Sequence, residues 1–201
     1  MRIIAGTHRG RKLVAPEGKT TRPMTDRVRE NLFNILGPQT MAEAVVLDLF
    51  CGSGALGLEA LSRGAASCTF VETDRDAVRA VETNCERLGL ALRTRLLRKD
   101  ALRPGPWGRP TGAAAYTLLF VDPPYRLTDT ADGQARLADM VARLTQMGGV
   151  AVGAVVMLRA RRDVTVALPW PGFDLDDTRS YGTTTLHLMT RRDTACGKEP
   201  E

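Results

Sequence analysis

Short apolar runs alternate with segments of helical character along most of the chain. Five apolar strands are predicted, at residues 44–50, 67–73, 94–100, 116–122 and 149–159. Three helices are predicted between them, over residues 53–64, 74–88 and 131–147. Strands that alternate with helices imply parallel strand pairing through right-handed crossovers. The pattern therefore predicts an α/β fold built on a mostly parallel sheet.

Two further elements border this core. A helix precedes the first strand, with Thr25 as its N-cap and with Gly37 and Pro38 at its end. Its predicted buried stripe repeats at helical spacing and consists of Val28, Leu32, Ile35 and Leu36. Near the C-terminus, "DDTRSYGTTTLHLMT" reads as two strands joined by a short turn, which predicts an antiparallel finish to the sheet.

The composition is typical of one globular domain, with 201 residues of which 43% are hydrophobic. No apolar run approaches the roughly 18 residues of a membrane-spanning helix. The start, "MRIIAGTHRGRK", lacks the apolar segment of a secretory signal, so a cytoplasmic location is predicted. The four cysteines form no C-x-x-C pair, so neither a metal site nor a disulfide framework is predicted.

Positive charge is concentrated at the N-terminus. Residues 1–30 carry eight Lys or Arg and three acidic residues, whereas the rest of the chain carries twenty of each. Ile3, Ile4, Leu13 and Val14 are interleaved with these charges, which predicts a short hairpin with one apolar face. Such a basic arm can attract a polyanion such as nucleic acid.

A glycine-rich turn follows the first predicted strand. "LDLFCGSGALG" places Gly52, Gly54 and Gly57 as G-x-G-x-x-G between strand and helix, where backbone N–H groups meet the positive end of the helix. Glu72 comes twenty residues after Gly52 and can accept hydrogen bonds from ribose hydroxyls. Asp48, just before the turn, would repel a diphosphate but suits a cation. S-adenosylmethionine, with its sulfonium and ammonium groups, therefore fits better than a dinucleotide.

The fourth predicted strand runs into "DPPY", residues 122–125. The two prolines fix the backbone and remove two N–H donors, so Asp122 stands beside rigid carbonyl acceptors. Two fixed acceptors can hold the hydrogens of an exocyclic –NH₂ group of a nucleobase and aim its lone pair at a methyl donor. Tyr125 offers a flat face on which the base can stack. The loop predicts transfer of a methyl group to a nucleobase amine.

Several stretches together resemble the bacterial 16S rRNA guanine-N2 methyltransferases of the RsmD type. They are "RIIAGTHRGRKL", "RPMTDRVRENLFNIL", "LDLFCGSGALGLEALSRGA", "VET" and "FVDPPY". The resemblance implies a Rossmann-like class I methyltransferase fold, with a mostly parallel seven-stranded sheet, an antiparallel C-terminal strand and a small basic N-terminal hairpin. It also implies that S-adenosylmethionine methylates N2 of one guanine in 16S rRNA, on the small ribosomal subunit or its assembly intermediate.

The residues and boundaries that follow from motif and resemblance are specific. The catalytic loop is predicted to be Asp122, Pro123, Pro124 and Tyr125. The predicted cofactor-binding residues are Asp48, Cys51, Gly52, Ser53, Gly54, Glu72, Asp100 and Ala101. The predicted RNA-binding residues are Arg9, Arg11, Lys12, Arg22, Arg27 and Arg29. We expect a basic arm over residues 1–22, a methyltransferase domain over 23–192, a flexible tail over 193–201, and a monomer without bound metal.

Three other functions compete with this hypothesis. The glycine turn alone also suits an NAD-dependent oxidoreductase, although Asp48 and the DPPY loop count against it. A non-catalytic rRNA-binding assembly factor would not need an intact Asp122 loop. DNA N6-adenine and N4-cytosine methyltransferases also carry DPPY, but this short chain shows no obvious DNA-recognition domain.

Overall fold

The fold is a seven-stranded sheet with helices on both faces, seen in a computed structural model that describes residues 1–16, 24–109 and 114–193. The elements in chain order are α1 (Asp26–Met41), β1 (Val45–Leu49), α2 (Ala55–Ser62), β2 (Ser67–Glu72), α3 (Arg75–Arg87), β3 (Thr94–Arg98), β4 (Tyr116–Val121), α4 (Ala131–Gln146), β5 (Val150–Arg161), β6 (Phe173–Tyr181) and β7 (Thr184–Arg191). Arg22, residues 110–113 and most of the predicted tail lie outside the described residues.

The strand order is β3-β2-β1-β4-β5-β7-β6. Strands β1 to β5 pair in parallel, and β7 runs antiparallel to both β5 and β6. This topology confirms the predicted mostly parallel sheet with an antiparallel strand near the C-terminus. The carboxyl ends of β1, β2, β3 and β4 meet at one edge, which is where α/β folds bind ligands.

Each central strand is buried on both faces, and its side chains alternate between two apolar clusters. In β4, Leu118 and Phe120 point to the cluster with α1, α2 and α3, whereas Leu119 and Val121 point to the cluster with α4. Strands covered by helices on both sides read as continuous apolar runs, which is why the sequence pattern located them.

Helix α1 begins as predicted but buries a different face. Thr25 caps it by accepting the Val28 N–H at 3.4 Å, and Gly37, at φ 71°, interrupts it before a last turn that ends at Met41. Ile35, predicted to be buried, is 36% exposed, and the prediction was wrong at that position. Phe33 is buried instead, because its ring packs against Phe120 with centroids 5.7 Å apart.

The first 16 residues form a small hairpin that is docked on the helices. Arg2 and Lys12 pair in an antiparallel bridge, and Ile3 and Leu13 are buried beneath it. The Glu59 carboxylate of α2 accepts the backbone N–H of Ile4 at 2.7 Å through Oε2. The same carboxylate accepts the next backbone N–H of the hairpin at 3.0 Å through Oε1. The hairpin is therefore fixed to the domain by buried hydrogen bonds as well as by apolar contact.

None of the helices in the described part of the chain has the length and apolarity needed to cross a membrane.

Candidate active site

Four carboxylates line the carboxyl edge of the sheet, one from each of four neighbouring strands. Asp48 lies within β1, Glu72 ends β2, Asp100 follows β3 and Asp122 follows β4. The parallel pairing places these strand ends side by side, because Leu49 pairs with residues of both β2 and β4. The Asp122 N–H also donates to the Leu49 carbonyl at 3.4 Å. Residues far apart in sequence thus form one acidic crevice.

The glycine turn between β1 and α2 has the backbone shape that its sequence requires. Gly52 and Gly54 have φ of 54° and 75°, and Phe50 has φ of 58°, an unusual value for a residue with a side chain. Gly57, in α2, allows that helix to approach β2 closely, since a Cβ there would lie 2.4 Å from the Phe70 ring. The turn is therefore a preformed, tightly packed cradle beneath the N-terminus of α2.

Asp48 lies buried beneath this turn, with 1% of its surface exposed. Its Oδ2 accepts the Gly57 N–H at 2.9 Å, whereas its Oδ1 is buried and accepts no hydrogen bond from the described residues. Burial raises the pKa of Asp48 well above its usual value, and the negative charges of Asp122 and Glu72 act in the same direction. A carboxylate oxygen without a partner in an acidic crevice has the chemistry to attract a cationic ligand.

Glu72 ties the end of β2 to the glycine turn. Its Oε2 accepts the Gly52 N–H at 3.0 Å, and its Oε1 accepts the N–H groups of Thr73 at 2.7 Å and Asp74 at 2.9 Å. The carboxylate is therefore held in place by backbone donors at the position predicted to recognise a ribose. Asp100 instead accepts the Leu102 N–H at 3.0 Å.

Cys51 and Ser53 shape the turn from inside. Burial raises the pKa of the Cys51 thiol well above its usual value, helped by the charges of Asp48 and Glu72, so the thiol stays neutral. Cys51 is thus a small filler residue and not a nucleophile. The Ser53 carbonyl accepts from the Asn84 amide at 3.2 Å, and Asn84 also binds the hairpin, a link that the sequence did not reveal.

The DPPY loop turns sharply at the end of β4. Pro123 is buried, and the Pro124 carbonyl accepts the Leu127 N–H at 2.9 Å, which starts a 3₁₀ turn at Tyr125. No backbone N–H of the described residues donates to the Pro123 carbonyl, so it remains an acceptor beside Asp122. Asp122 and the Pro123 carbonyl therefore both offer acceptor oxygens at this loop.

Sequence reasoning missed Arg159. This β5 residue is 7% exposed, and its Nε lies 2.7 Å from the Asp122 Oδ1. Burial raises the pKa of Asp122, and the Arg159 charge opposes that increase. The signal that could have found it is one charged residue inside the apolar run "VVMLRA".

A cavity of about 550 Å³ opens beside Tyr125. Its walls come from the DPPY loop, the end of β5 and its following turn, and the turn between β6 and β7, namely Tyr125, Arg161, Arg162, Asp163, Gly182 and Thr183. The Tyr125 side chain is held in this lining by a hydrogen bond, since its hydroxyl lies 3.3 Å from the Thr184 hydroxyl. Arg161 pairs with Asp163 of the same lining, so the two arginines leave the cavity with one net positive charge, which suits a nucleotide phosphate.

The predicted RNA-binding residues separate into two groups. Arg9, Arg11, Lys12 and Arg27 are exposed, and none of them forms an ion pair with any described residue. The prediction that Arg29 binds RNA was wrong. Arg29 is 1% exposed and pairs with Asp26 at 3.0 Å beneath the hairpin. A side chain on the buried face of α1 cannot reach a phosphate, so Arg29 has a structural role and is not an RNA-binding residue.

The comparisons with known proteins agree on one family. The family model described as "Conserved hypothetical protein 95" matches residues 1–190. The Bacillus subtilis protein named "Putative rRNA methyltransferase YlbH" is 37% identical over 196 residues, which are 96% of this chain and all of that protein. Escherichia coli "Ribosomal RNA small subunit methyltransferase D" is 46% identical over 127 residues, which are 63% of this chain and 61% of that protein.

Solved structures agree with the fold. The Escherichia coli structure titled "Putative methyltransferase yhhF" superposes with a TM-score of 0.77 at 33% identity, covering 96% of this chain and 99% of that one. A Salinibacter ruber RNA methyltransferase solved with S-adenosyl-L-homocysteine superposes with a TM-score of 0.59 over 89% of this chain, and at 16% identity it supports the fold alone.

The partnerless Asp48 oxygen and the glycine cradle fit S-adenosylmethionine, the cofactor of this class. Together with the matches, these features identify the chain as a member of the Conserved hypothetical protein 95 family, the RsmD-type, Rossmann-like methyltransferases that use S-adenosylmethionine.

Proposed function

We propose that this protein methylates the exocyclic N2 of one guanine in 16S rRNA, with the small ribosomal subunit or its assembly intermediate as substrate. The observation that carries the proposal is the pair of fixed acceptors at the DPPY loop, beside a crevice suited to a cationic methyl donor. The names of the Bacillus subtilis and Escherichia coli relatives, which include rRNA and the small subunit, support the choice of substrate.

The crevice would hold S-adenosylmethionine through four groups of the chain. Asp48 and the glycine turn of residues 52–54 would face its charged amino-acid portion, while Glu72 and Asp100 would face its nucleoside portion. When bound, this cofactor supplies an electrophilic methyl group on a sulfonium. The other steps are carried by the side chains and backbone of the catalytic loop.

The catalytic loop would act on the guanine amine by orientation and charge. Asp122 and the Pro123 carbonyl would each accept one hydrogen of the –NH₂ group, so that the nitrogen lone pair points away from both acceptors. Positive charge develops on that nitrogen as the methyl group is transferred, and the Asp122 carboxylate stabilises it. The proton then leaves to Asp122 or to water, so no strong base is required.

The surroundings of the loop would select a nucleotide that has been turned out of its stack. Tyr125 lines the cavity of about 550 Å³, and Arg161 and Arg162 border the same space. Aromatic stacking and cationic side chains are the usual means of holding an unstacked RNA base and its phosphate. The exposed Arg9, Arg11 and Lys12 of the hairpin would contact phosphates further along the RNA.

The test combines genetics with one variant. Mass mapping of 16S rRNA nucleosides from cells that lack the protein should show one N2-methylguanine missing. The purified enzyme should restore it on small subunits or naked rRNA with S-adenosylmethionine. Asp122→Ala should abolish this transfer while cofactor affinity, measured by calorimetry, changes little. Methylation of DNA in place of rRNA, or turnover by Asp122→Ala near the wild-type rate, would refute the proposal.

A further inference from the structure

Arg159 is an unusual residue for its position. It lies near the carboxyl end of β5, directly after Leu158, which forms the last parallel pair with Val121 of β4. Its side chain is 9% exposed and that of Asp122 is 18% exposed. A charged residue is almost never placed in such a strand without a partner, because desolvation of an isolated charge is costly. The partner here is the carboxylate of the catalytic loop.

Arg159 leaves the acceptor capacity of the Asp122 carboxylate unused. The Arg159 Nε lies 2.7 Å from Oδ1, but neither of these two buried atoms forms a hydrogen bond with the described residues. The contact is therefore an ion pair and not the two-bond fork that arginine often makes with a carboxylate. Arg159 thus supplies positive charge, and the carboxylate remains available to an amine hydrogen.

The same guanidinium also supports the aromatic residue of the loop. The Arg159 Cζ lies 5.5 Å from the centroid of the Tyr125 ring. A guanidinium at this distance is attracted to the ring and restricts its orientation. The Tyr125 hydroxyl is held from its other end by Thr184. Arg159 is thus in contact with two of the four DPPY side chains, at both ends of the loop.

We propose that Arg159 is a positioning residue for methyl transfer, whose guanidinium keeps Asp122 an ionised, correctly turned acceptor and holds Tyr125 in its stacking orientation. This inference rests on the proposed function of the DPPY loop. It assigns a role in the reaction to a strand that carries none of the motif residues.

The electrostatics of the site explain why an arginine is needed there. Two charged groups act on Asp122 from the elements packed around it: Arg159 of β5 and Asp48 of β1. Burial favours the protonated form of Asp122, and a negative Asp48 would favour it further. Of the two, Arg159 alone is positive. Without it the carboxyl would hold its proton to higher pH and would present a hydroxyl where an acceptor is required.

A purely structural ion pair would behave differently. Loss of a buried pair that serves only the fold would lower kcat by the same factor at every pH at which the protein stays folded. Loss of a pair that keeps Asp122 ionised would instead lower the rate mainly at low pH, with recovery as the pH rises. The pH profile separates the two roles.

The experiment measures the ionisation of Asp122 directly, without RNA. The ¹³Cγ resonance of Asp122 is assigned by its absence from the spectrum of Asp122→Asn and followed as a function of pH. Wild type is compared with Arg159→Met, Arg159→Gln and Arg159→Lys. Arg143→Met is the matched control, because the Arg143 Nη2 also lies 2.7 Å from a carboxylate, that of Asp139, but on the exposed surface of α4.

We expect the two neutral variants to titrate Asp122 at higher pH than wild type, and Arg159→Lys and Arg143→Met to leave the midpoint near that of wild type. Two neutral variants are used so that, if one of them fails to fold, the other still tests the inference. An unchanged Asp122 midpoint in a folded neutral variant would overturn the inference.

Kinetics on rRNA provide the second readout. The acidic limb of the kcat profile should move to higher pH in the neutral variants, and below that limb the rate falls about tenfold for each pH unit of displacement. A uniform loss at all pH values would show a structural role only. The titration of Asp122 needs no RNA. If the wild-type protein failed to methylate rRNA, this would therefore refute only the proposed function, and the titration would still test the role of Arg159.

Discussion

Glu59 anchors the N-terminal hairpin, and Glu59→Gln is expected to loosen that hairpin from the domain. The side chain is fully buried and serves three donors: the Ile4 N–H at 2.7 Å, the Ala5 N–H at 3.0 Å and the Arg63 Nε at 2.7 Å. Arg29, which is also buried, lies 3.9 Å from the same carboxylate. Glutamine keeps the shape of the side chain but removes its charge and replaces one acceptor oxygen with an NH₂ donor.

The magnitude follows from what glutamine leaves unpaired. An NH₂ group would face either the Ile4 N–H or the pair formed by the Ala5 N–H and Arg63, so at least one buried donor loses its acceptor. Removal of one partner from a buried ion pair costs about 3 to 5 kcal/mol. Because glutamine retains one acceptor, we expect the low end, a loss of about 3 kcal/mol in the free energy of unfolding. For a chain of this length the melting temperature should then fall by about 6 to 12 °C.

Urea denaturation followed by circular dichroism measures the global loss, and hydrogen exchange locates it. The Ile4 and Ala5 amides should lose protection before the amides of β1 and β4 do. Glu82→Gln is the control, since Glu82 is exposed on α3 and its replacement should change stability by no more than about 0.5 kcal/mol. A loss below about 1 kcal/mol for Glu59→Gln, with Ile4 and Ala5 still protected, would refute the view that this carboxylate anchors the hairpin.

Two further predictions concern the basic hairpin and the buried acid of β1. Replacement of Arg9 and Arg11 by Gln should weaken RNA binding and leave cofactor affinity unchanged. The slope of log K against log salt concentration should become shallower by about 0.7 to 0.9 per lost phosphate contact. An unaltered slope would show that the hairpin does not contact the RNA. The folded pKa of Asp48 is raised by burial, so its stabilising contribution is present below the unfolded carboxyl pKa and lost as pH rises through the folded pKa. Asp48→Asn should therefore flatten the pH dependence of the melting temperature above the normal carboxyl range and weaken S-adenosylmethionine binding, whereas an unchanged pH dependence would contradict the buried charge.

Local patterns in the sequence were sufficient to locate the central strands, the glycine turn and the DPPY loop. The apolar runs located β1 to β5 because those strands are covered on both faces and carry no competing period. The glycine turn and the DPPY loop were found because a positive φ and a missing N–H are demands that only particular residue types meet. These features depend on residues that are only a few positions apart, so the sequence alone is enough to predict them.

The tertiary structure alone decided which charges are partners. Arg29 was expected on an RNA surface and is instead buried, because α1 turns Phe33 and not Ile35 toward the sheet. Asp122 meets Arg159 only because β4 and β5 are adjacent with Val121 beside Leu158. Strand adjacency and helix rotation arise from packing between distant segments, and a buried charge is tolerated only where that packing supplies a counter-charge. For that reason the sequence located the glycine turn and the DPPY loop, and the fold determined that Arg159 is the residue paired with Asp122.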